Sequence, residues 1–221
     1  MTAPLFMNTP DRTAVKVCGV RSGEQALAVV QAGADVLGIN FWPKSKRFIS
    51  LEEALPWLFE LKGVVPRVAV TVNATDDELR ALHESGGLDW LQLHGDETPD
   101  RVRSLTQQGL PVFKALGIKD EAMLDAAAEF PGDTLLLDAY APVEYGGSGE
   151  TMDWSLGARA VKDWPERQIV LAGGLTPDNV AAAIQQVRPA AVDVASGVES
   201  APGVKDLELV KRFVEAAATA V

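Results

Sequence analysis

The sequence predicts an α/β protein built as a single closed (β/α)8 barrel, and three observations carry that expectation. From Ala14 onward, short β-branched apolar runs alternate with longer stretches of helical spacing that open on Ser or Thr and often close on Gly. That is the pattern of βα units feeding a parallel sheet. Eight such runs fill about 210 residues at about 26 per unit, near the lower end for a closed barrel, with no room for a second domain. The competing open, doubly wound sheet carries a G-x-G-x-x-G turn after its first strand. Here the first run ends in Cys18-Gly19-Val20, and that glycine pattern occurs nowhere in the chain.

The expected strands are Ala14–Cys18, Asp35–Asn40, Arg67–Asn73, Asp89–His94, Pro111–Ala115, Thr134–Asp138, Gln168–Ala172 and Ala191–Ser196. Between them, Ser22 with Gln25, Ser50 with Glu53 and Thr75 with Glu78 have the spacing of a capping box, in which a side-chain oxygen satisfies an orphan amide of the first turn. Thr98-Pro99 and Thr176-Pro177 place a cap before a proline whose missing N–H costs nothing at the first helical position. Gly33, Gly86 or Gly87, and Gly109 stand where helix ends need a left-handed residue. Residues 1–12, with prolines at 4 and 10, have neither a basic start nor a long apolar run and are expected to be a flexible tail ahead of a catalytic domain over 13–221.

Composition narrows the partners. The 221 residues are 47% hydrophobic and 23% charged, as in a globular protein, and no window nears the roughly 20 apolar residues that cross a membrane. Lys and Arg number 20 against 31 Asp and Glu, a net charge of −11 that repels nucleic acid and anionic lipid. One cysteine, Cys18, excludes an intrachain disulfide and suits a reducing, cytoplasmic setting. A homodimer is compatible with the chain, because an apolar helix face looks the same whether it meets a helix or a subunit.

In such a barrel the chemistry sits at the carboxyl ends of the strands. Those ends read Cys18, Asn40, Asn73, His94, Lys114 close to an end, Asp138, Gly173-Gly174 and Ser196-Gly197. Strand alternation sends Val15 and Val17 toward the helices and Lys16 and Cys18 inward; by the same count Asp138 and Asp193 point inward. The first and eighth strands are neighbours in a closed barrel, so Lys16 and Asp193 are expected to pair across the closure, the alternative being that Lys16 reaches solvent or substrate. Cys18 is either an inert core thiol or a reactive one beside a cation. Asp138 ends an apolar strand, where a carboxylate needs a partner or an altered proton affinity, as a general acid requires.

Glycines suggest what these groups act on. Gly173-Gly174 and Ser196-Gly197 follow the seventh and eighth strands, where backbone amides of many barrels hold a phosphate. Gly146, Gly147 and Gly149 lie in the long loop 140–153, either a further ligand contact or a lid. The basic run Lys44-Ser45-Lys46-Arg47 offers Arg47 as a planar fork for a carboxylate, or is simply a solvated cluster. His94 has no paired-histidine spacing, so the expectation is a hydrogen-bonded supporting role and no metal.

Together these segments resemble the phosphoribosylanthranilate isomerase family of tryptophan biosynthesis over nearly the whole chain. The carriers are Val15-Lys16-Val17-Cys18-Gly19, Pro43-Lys44-Ser45-Lys46-Arg47, Gln92-Leu93-His94-Gly95-Asp96-Glu97, Leu136-Leu137-Asp138, Tyr145-Gly146-Gly147-Ser148-Gly149, Met152-Asp153-Trp154, Ala172-Gly173-Gly174-Leu175 and Val192-Asp193-Val194-Ala195-Ser196-Gly197-Val198-Glu199. Val17, Met152 and Ala195 stand where relatives often carry Ile, Phe and Ser. The resemblance implies a TIM barrel that performs an Amadori rearrangement of N-(5'-phosphoribosyl)anthranilate without metal or organic cofactor. It assigns the general base to Cys18, the general acid to Asp138, the anthranilate carboxylate to Arg47 and the phosphate to the last two strand loops. A free thiol with a pKa of about 8.5 is only a few per cent ionised at neutral pH, so a lowered value is expected for Cys18.

Overall fold

The computed structural model describes residues 5–6, 12–140 and 151–220. Eight parallel strands, β1 (Ala14–Cys18), β2 (Val36–Asn40), β3 (Arg67–Thr71), β4 (Trp90–Leu93), β5 (Val112–Ile118), β6 (Thr134–Ala139), β7 (Gln168–Leu171) and β8 (Ala191–Val194), close in sequential order. Helices α1 (Gly23–Gln31), α2 (Leu51–Glu60), α3 (Asp76–Glu84), α4 (Pro99–Gln107), α5 (Glu121–Ala127), α6 (Trp154–Asp163), α7 (Val180–Val187) and α8 (Leu207–Ala218) alternate with the strands. The expected (β/α)8 barrel is the one observed. Closure pairs β1 with β8 and sets Lys16 opposite Asp193.

Helix starts follow the side-chain chemistry. Ser50–Glu53 and Thr75–Glu78 form reciprocal capping boxes, and Ser22 and Thr98 each accept the amide three residues on. Thr176 departs from expectation. Asn179 Oδ1 accepts its amide and the helix begins only at Val180, so Thr176-Pro177 opens a turn instead of capping α7. The amide of Val180 is satisfied by the carbonyl of Thr176, which makes a side-chain cap unnecessary.

Alternation along the strands builds two separate cores. Val15, Val17, Leu37, Ile39, Leu91, Leu93, Leu135, Leu137, Val192 and Val194 face outward and meet helix residues such as Val29, Leu58, Leu79, Leu105 and Phe213. Ala14, Val36, Val68, Phe113, Leu136, Val170 and Ala191 fill the barrel interior. Most of these come from the amino-terminal halves of their strands, so they plug the lower end and leave the carboxyl ends to polar residues. Leu5 and Phe6 belong to this plug, both 2% exposed, and Gln168 Nε2 donates to the Phe6 carbonyl at 2.7 Å. At these two positions the expectation of a loose tail is corrected, because the barrel floor offers apolar surface that their side chains cover.

Six of the eight strands end one to three residues from expectation, β3, β4, β7 and β8 earlier and β5 and β6 later. β5 continues to Ile118 because β6 pairs with it through Ala139. β8 stops at Val194 and the chain tightens into a 3-10 turn over Ser196–Val198, then a hairpin of β9 (Glu199–Ala201) and β10 (Val204–Lys205). A hairpin of three- and two-residue strands is too short to show an apolar period.

Candidate active site

The upper mouth of the barrel gathers what the strand ends supply. On the β8–β1–β2 wall, Lys16 Nζ donates to Asp193 Oδ1 at 2.8 Å, so the pair expected across the closure is present. Lys16 is fully buried, and Cys18, two residues further up the same inner face, is 9% exposed. Gly38 on β2 makes room for the sulfur, since a Cβ there would come within 2.8 Å of Cys18 Sγ.

The electrostatics of Cys18 correct one expectation. Burial pushes its thiol pKa up; Lys16 pulls it down, Asp193 adds to the rise, and Lys205 and Arg47 pull it down more weakly. The net direction is upward, not downward, because burial and the Asp193 charge together outweigh these cations. Lys16 is raised: burial opposes its charge, but Asp193 and Cys18 together outweigh it.

The basic run after β2 separates into two kinds of residue. Lys44 and Lys46 are exposed, whereas the Arg47 side chain is 13% exposed and folds back over the mouth. Its stem crosses Gly19, where φ is +84° and a Cβ would stand 2.3 Å from Arg47 Cδ. Any side chain at 19 would therefore strain the backbone and displace the arginine. Arg47 Nε and Nη2 donate to Glu199 Oε1 and Oε2, each at 2.8 Å, and Lys205 Nζ donates to Glu199 Oε1 at 2.7 Å. The hydrogen bond to Glu199 raises the Arg47 pKa. For Glu199, burial works upward but Arg47 and Lys205 prevail and lower it. For Lys205 burial prevails over Glu199 and lowers the ammonium.

Three strands round the barrel, Asp138 ends the inner face of β6 at 7% exposure. Its Oδ1 accepts the Ala139 amide at 2.8 Å and its Oδ2 lies 3.4 Å from His94 Nε2. Gln92 Nε2 lies 3.3 Å from His94 Nδ1. His94 is thereby set between Gln92 and Asp138.

Beside Asp138, Gly173 adopts φ +84° and a Cβ on it would stand 3.0 Å from Asp138 Oδ1. Gly174 also has positive φ, and its carbonyl accepts from Asn179 Nδ2 at 3.0 Å. A Cβ on Gly197 would lie 1.9 Å from the Leu175 carbonyl oxygen, so the loops after β7 and β8 pack directly together. That contact sets Gly197 against the residue that follows Gly173-Gly174. Gly146, Gly147 and Gly149 lie outside the described residues.

Lys114, read as near a strand end, is not part of this mouth. It points outward from β5 and donates to the carbonyls of Leu93 and Gly95 and to Glu97 Oε2. Burial lowers its pKa despite Glu97. A hollow of about 480 Å³ near the starts of α3 and α4 is lined by Asp76, Asp77, Asp96 and Glu97 and holds none of Cys18, Arg47, His94 and Asp138. Among the described residues no group of three or more His, Cys, Asp or Glu could hold a metal ion, and no helix is long and apolar enough to cross a membrane.

Sequence reasoning gave no role to Glu199, Lys205 or Gln92. Ala201-Pro202-Gly203 between short flanks is the signal that could have exposed the hairpin carrying the first two.

The chain is similar to known proteins over most of its length. Residues 15–216 match the family model of N-(5'phosphoribosyl)anthranilate (PRA) isomerase. An N-(5'-phosphoribosyl)anthranilate isomerase from Trichlorobacter lovleyi is 45% identical over 207 residues, covering 94% of this chain and 98% of that one. The phosphoribosyl anthranilate isomerase structure from Thermotoga maritima superposes with a TM-score of 0.83 at 41% identity, covering 93% and 98% of the two chains. A structure of monomers generated from that dimeric enzyme gives 0.80 at 40%, with the same coverage. A family structure in complex with reduced 1-(o-carboxyphenylamino)-1-deoxyribulose 5-phosphate gives 0.81 at 39%, again covering 93% and 98%.

Proposed function

The chain belongs to the N-(5'-phosphoribosyl)anthranilate isomerase family, and from that premise we propose that it converts N-(5'-phosphoribosyl)anthranilate to 1-(o-carboxyphenylamino)-1-deoxyribulose 5-phosphate in tryptophan biosynthesis. The observation that carries the reading is the meeting, at one barrel mouth, of a thiol among three cations and a carboxylate held by a histidine. Asp138 gives a proton to the furanose oxygen as the C1–O bond opens, leaving a protonated Schiff base at C1. That iminium acidifies the C2 proton, which Cys18 removes as thiolate. The enolamine then tautomerises to the ketoamine.

Lys16 is the cation that does most to favour the Cys18 thiolate, and Arg47 offers guanidinium N–H groups to the anthranilate carboxylate. Gly173, Gly174, Ser196 and Gly197 receive the phosphate, a reading supported by the positive φ of Gly173 and Gly174 and by the close packing of Gly197 on Leu175. Gly146, Gly147 and Gly149 are assigned to a substrate loop on the family resemblance alone. The catalytic unit spans 13–221 and acts in the cytoplasm; a homodimer is the proposed assembly, supported by the dimeric relative.

Loss of substrate fluorescence on mixing the purified protein with phosphoribosylanthranilate tests this directly. Cys18→Ala and Asp138→Asn should each lower turnover by about 10²–10⁴-fold, the range for removing a general acid or base. Wild-type turnover in either variant would remove that residue from the mechanism, and no conversion by the unaltered protein would overturn the function.

A further inference from the structure

Arg47 presents a problem of charge. Its side edge, Nε and Nη2, is already engaged by the Glu199 carboxylate. An arginine neutralised this way would be a poor receptor for a second carboxylate. The structure supplies the missing charge from the hairpin: Lys205, its side chain 0% exposed, donates to the same Glu199 oxygen at 2.7 Å and to the Ala195 carbonyl at 3.0 Å. Lys205 and Glu199 are register partners across β9 and β10, so one cross-strand pair carries both. Two cations around one carboxylate leave a net single positive charge, fixed in place by burial.

The guanidinium geometry completes the argument. Of five N–H donors, Glu199 takes two, leaving the end edge formed by Nη1 and the second Nη2 hydrogen for another planar carboxylate. Gly19 lets the stem lie flat on the backbone beside Cys18, and Glu199 fixes the rotation of the fork about that stem. We propose that Glu199 and Lys205 are positioning residues that make Arg47 selective for a ligand bearing a carboxylate on the aromatic ring, Glu199 by orienting the guanidinium and Lys205 by restoring its charge. The proposal rests on the assignment of Arg47 to the anthranilate carboxylate. It turns the hairpin after β8 into a specificity element.

The test is ligand discrimination. Dissociation constants are measured for reduced 1-(o-carboxyphenylamino)-1-deoxyribulose 5-phosphate and for the same compound without its carboxylate. Lys205→Met should shrink the wild-type preference for the carboxylate-bearing ligand at least tenfold, and Glu199→Gln, which frees the fork but also removes the competing anion, should shrink it by less, while affinity for the other ligand stays within about twofold in both. Lys205→Arg, which keeps the charge and is the safer variant for folding, should retain most of the preference. An unchanged preference in both neutralising variants, or equal weakening of both ligands, overturns the proposal. Arg47→Met separates the two levels: if it too leaves the preference intact, the carboxylate assignment of Arg47 itself falls.

Discussion

Lys16 and Lys114 are the same residue at nearly the same depth, 0% and 1% exposed, on strands four apart in the barrel order. Lys16 faces the lumen, meets Asp193, and acts on the charge state of Cys18. Lys114 faces the helices and fastens Leu93, Gly95 and Glu97 together, with Glu97 in turn accepting the amides of Asn73 and Gly95. One residue of register separates a lysine that bears on the Cys18 thiol from one that staples loops. The carboxylate partners differ too, since the Asp193 side chain keeps 10% of its surface and that of Glu97 only 1%.

The contrast can be broken most forcibly at Lys114. Lys114→Met strands a buried Glu97 and should cost about 3–5 kcal/mol, lowering Tm by about 10 °C, while kcat/KM of the folded fraction stays near wild type. Calorimetry and assay at low temperature would expose a mistake if activity fell and Tm did not. Lys16→Met should do the reverse: kcat/KM falls about 10–100-fold, equivalent to about 1.4–2.7 kcal/mol of transition-state stabilisation. Stability should drop less than at Lys114, because Asp193 retains some solvent. The pH midpoint of Cys18 alkylation by iodoacetamide, already above that of an ordinary thiol, should rise further in this variant, since its strongest lowering influence is gone. An unshifted midpoint would contradict the role given to Lys16.

Gly38→Ala perturbs the lumen without touching a charge. The new Cβ would collide with Cys18 Sγ, so activity should fall while overpacking costs about 1–3 kcal/mol. Wild-type turnover would show that the sulfur tolerates displacement. The smallest effect is expected at acid pH. Because the folded-state pKa of Glu199 is depressed below its ordinary 4.5, its contribution to stability is complete above that value and is lost as pH falls through the folded one. Urea unfolding at pH 7, 4 and 3 should therefore give a shallower acid decline for Glu199→Gln.

Legibility in the sequence followed the range of the interaction. Capping at Ser50 and Thr75 was readable because cap and partner are three residues apart. Lys16 and Asp193 are 177 positions apart, yet their pairing was readable because parity and barrel closure are regular. Thr176 misled because a neighbouring asparagine competed for the same turn. Glu199 was visible only within a recognised segment, and Lys205 not at all, since neither strand of their hairpin is long enough to show a period.

By itself, then, the chain determined the number of βα units, which face of each strand turns inward, and the family to which those strand ends point. These follow from local periodicity and from the limited ways eight such units can close. Tertiary structure decided the charge around Cys18, the engagement of Arg47 by Glu199 and the second cation that offsets it. Burial and distance between residues far apart in sequence set those quantities, and neither is a property of any local stretch of chain.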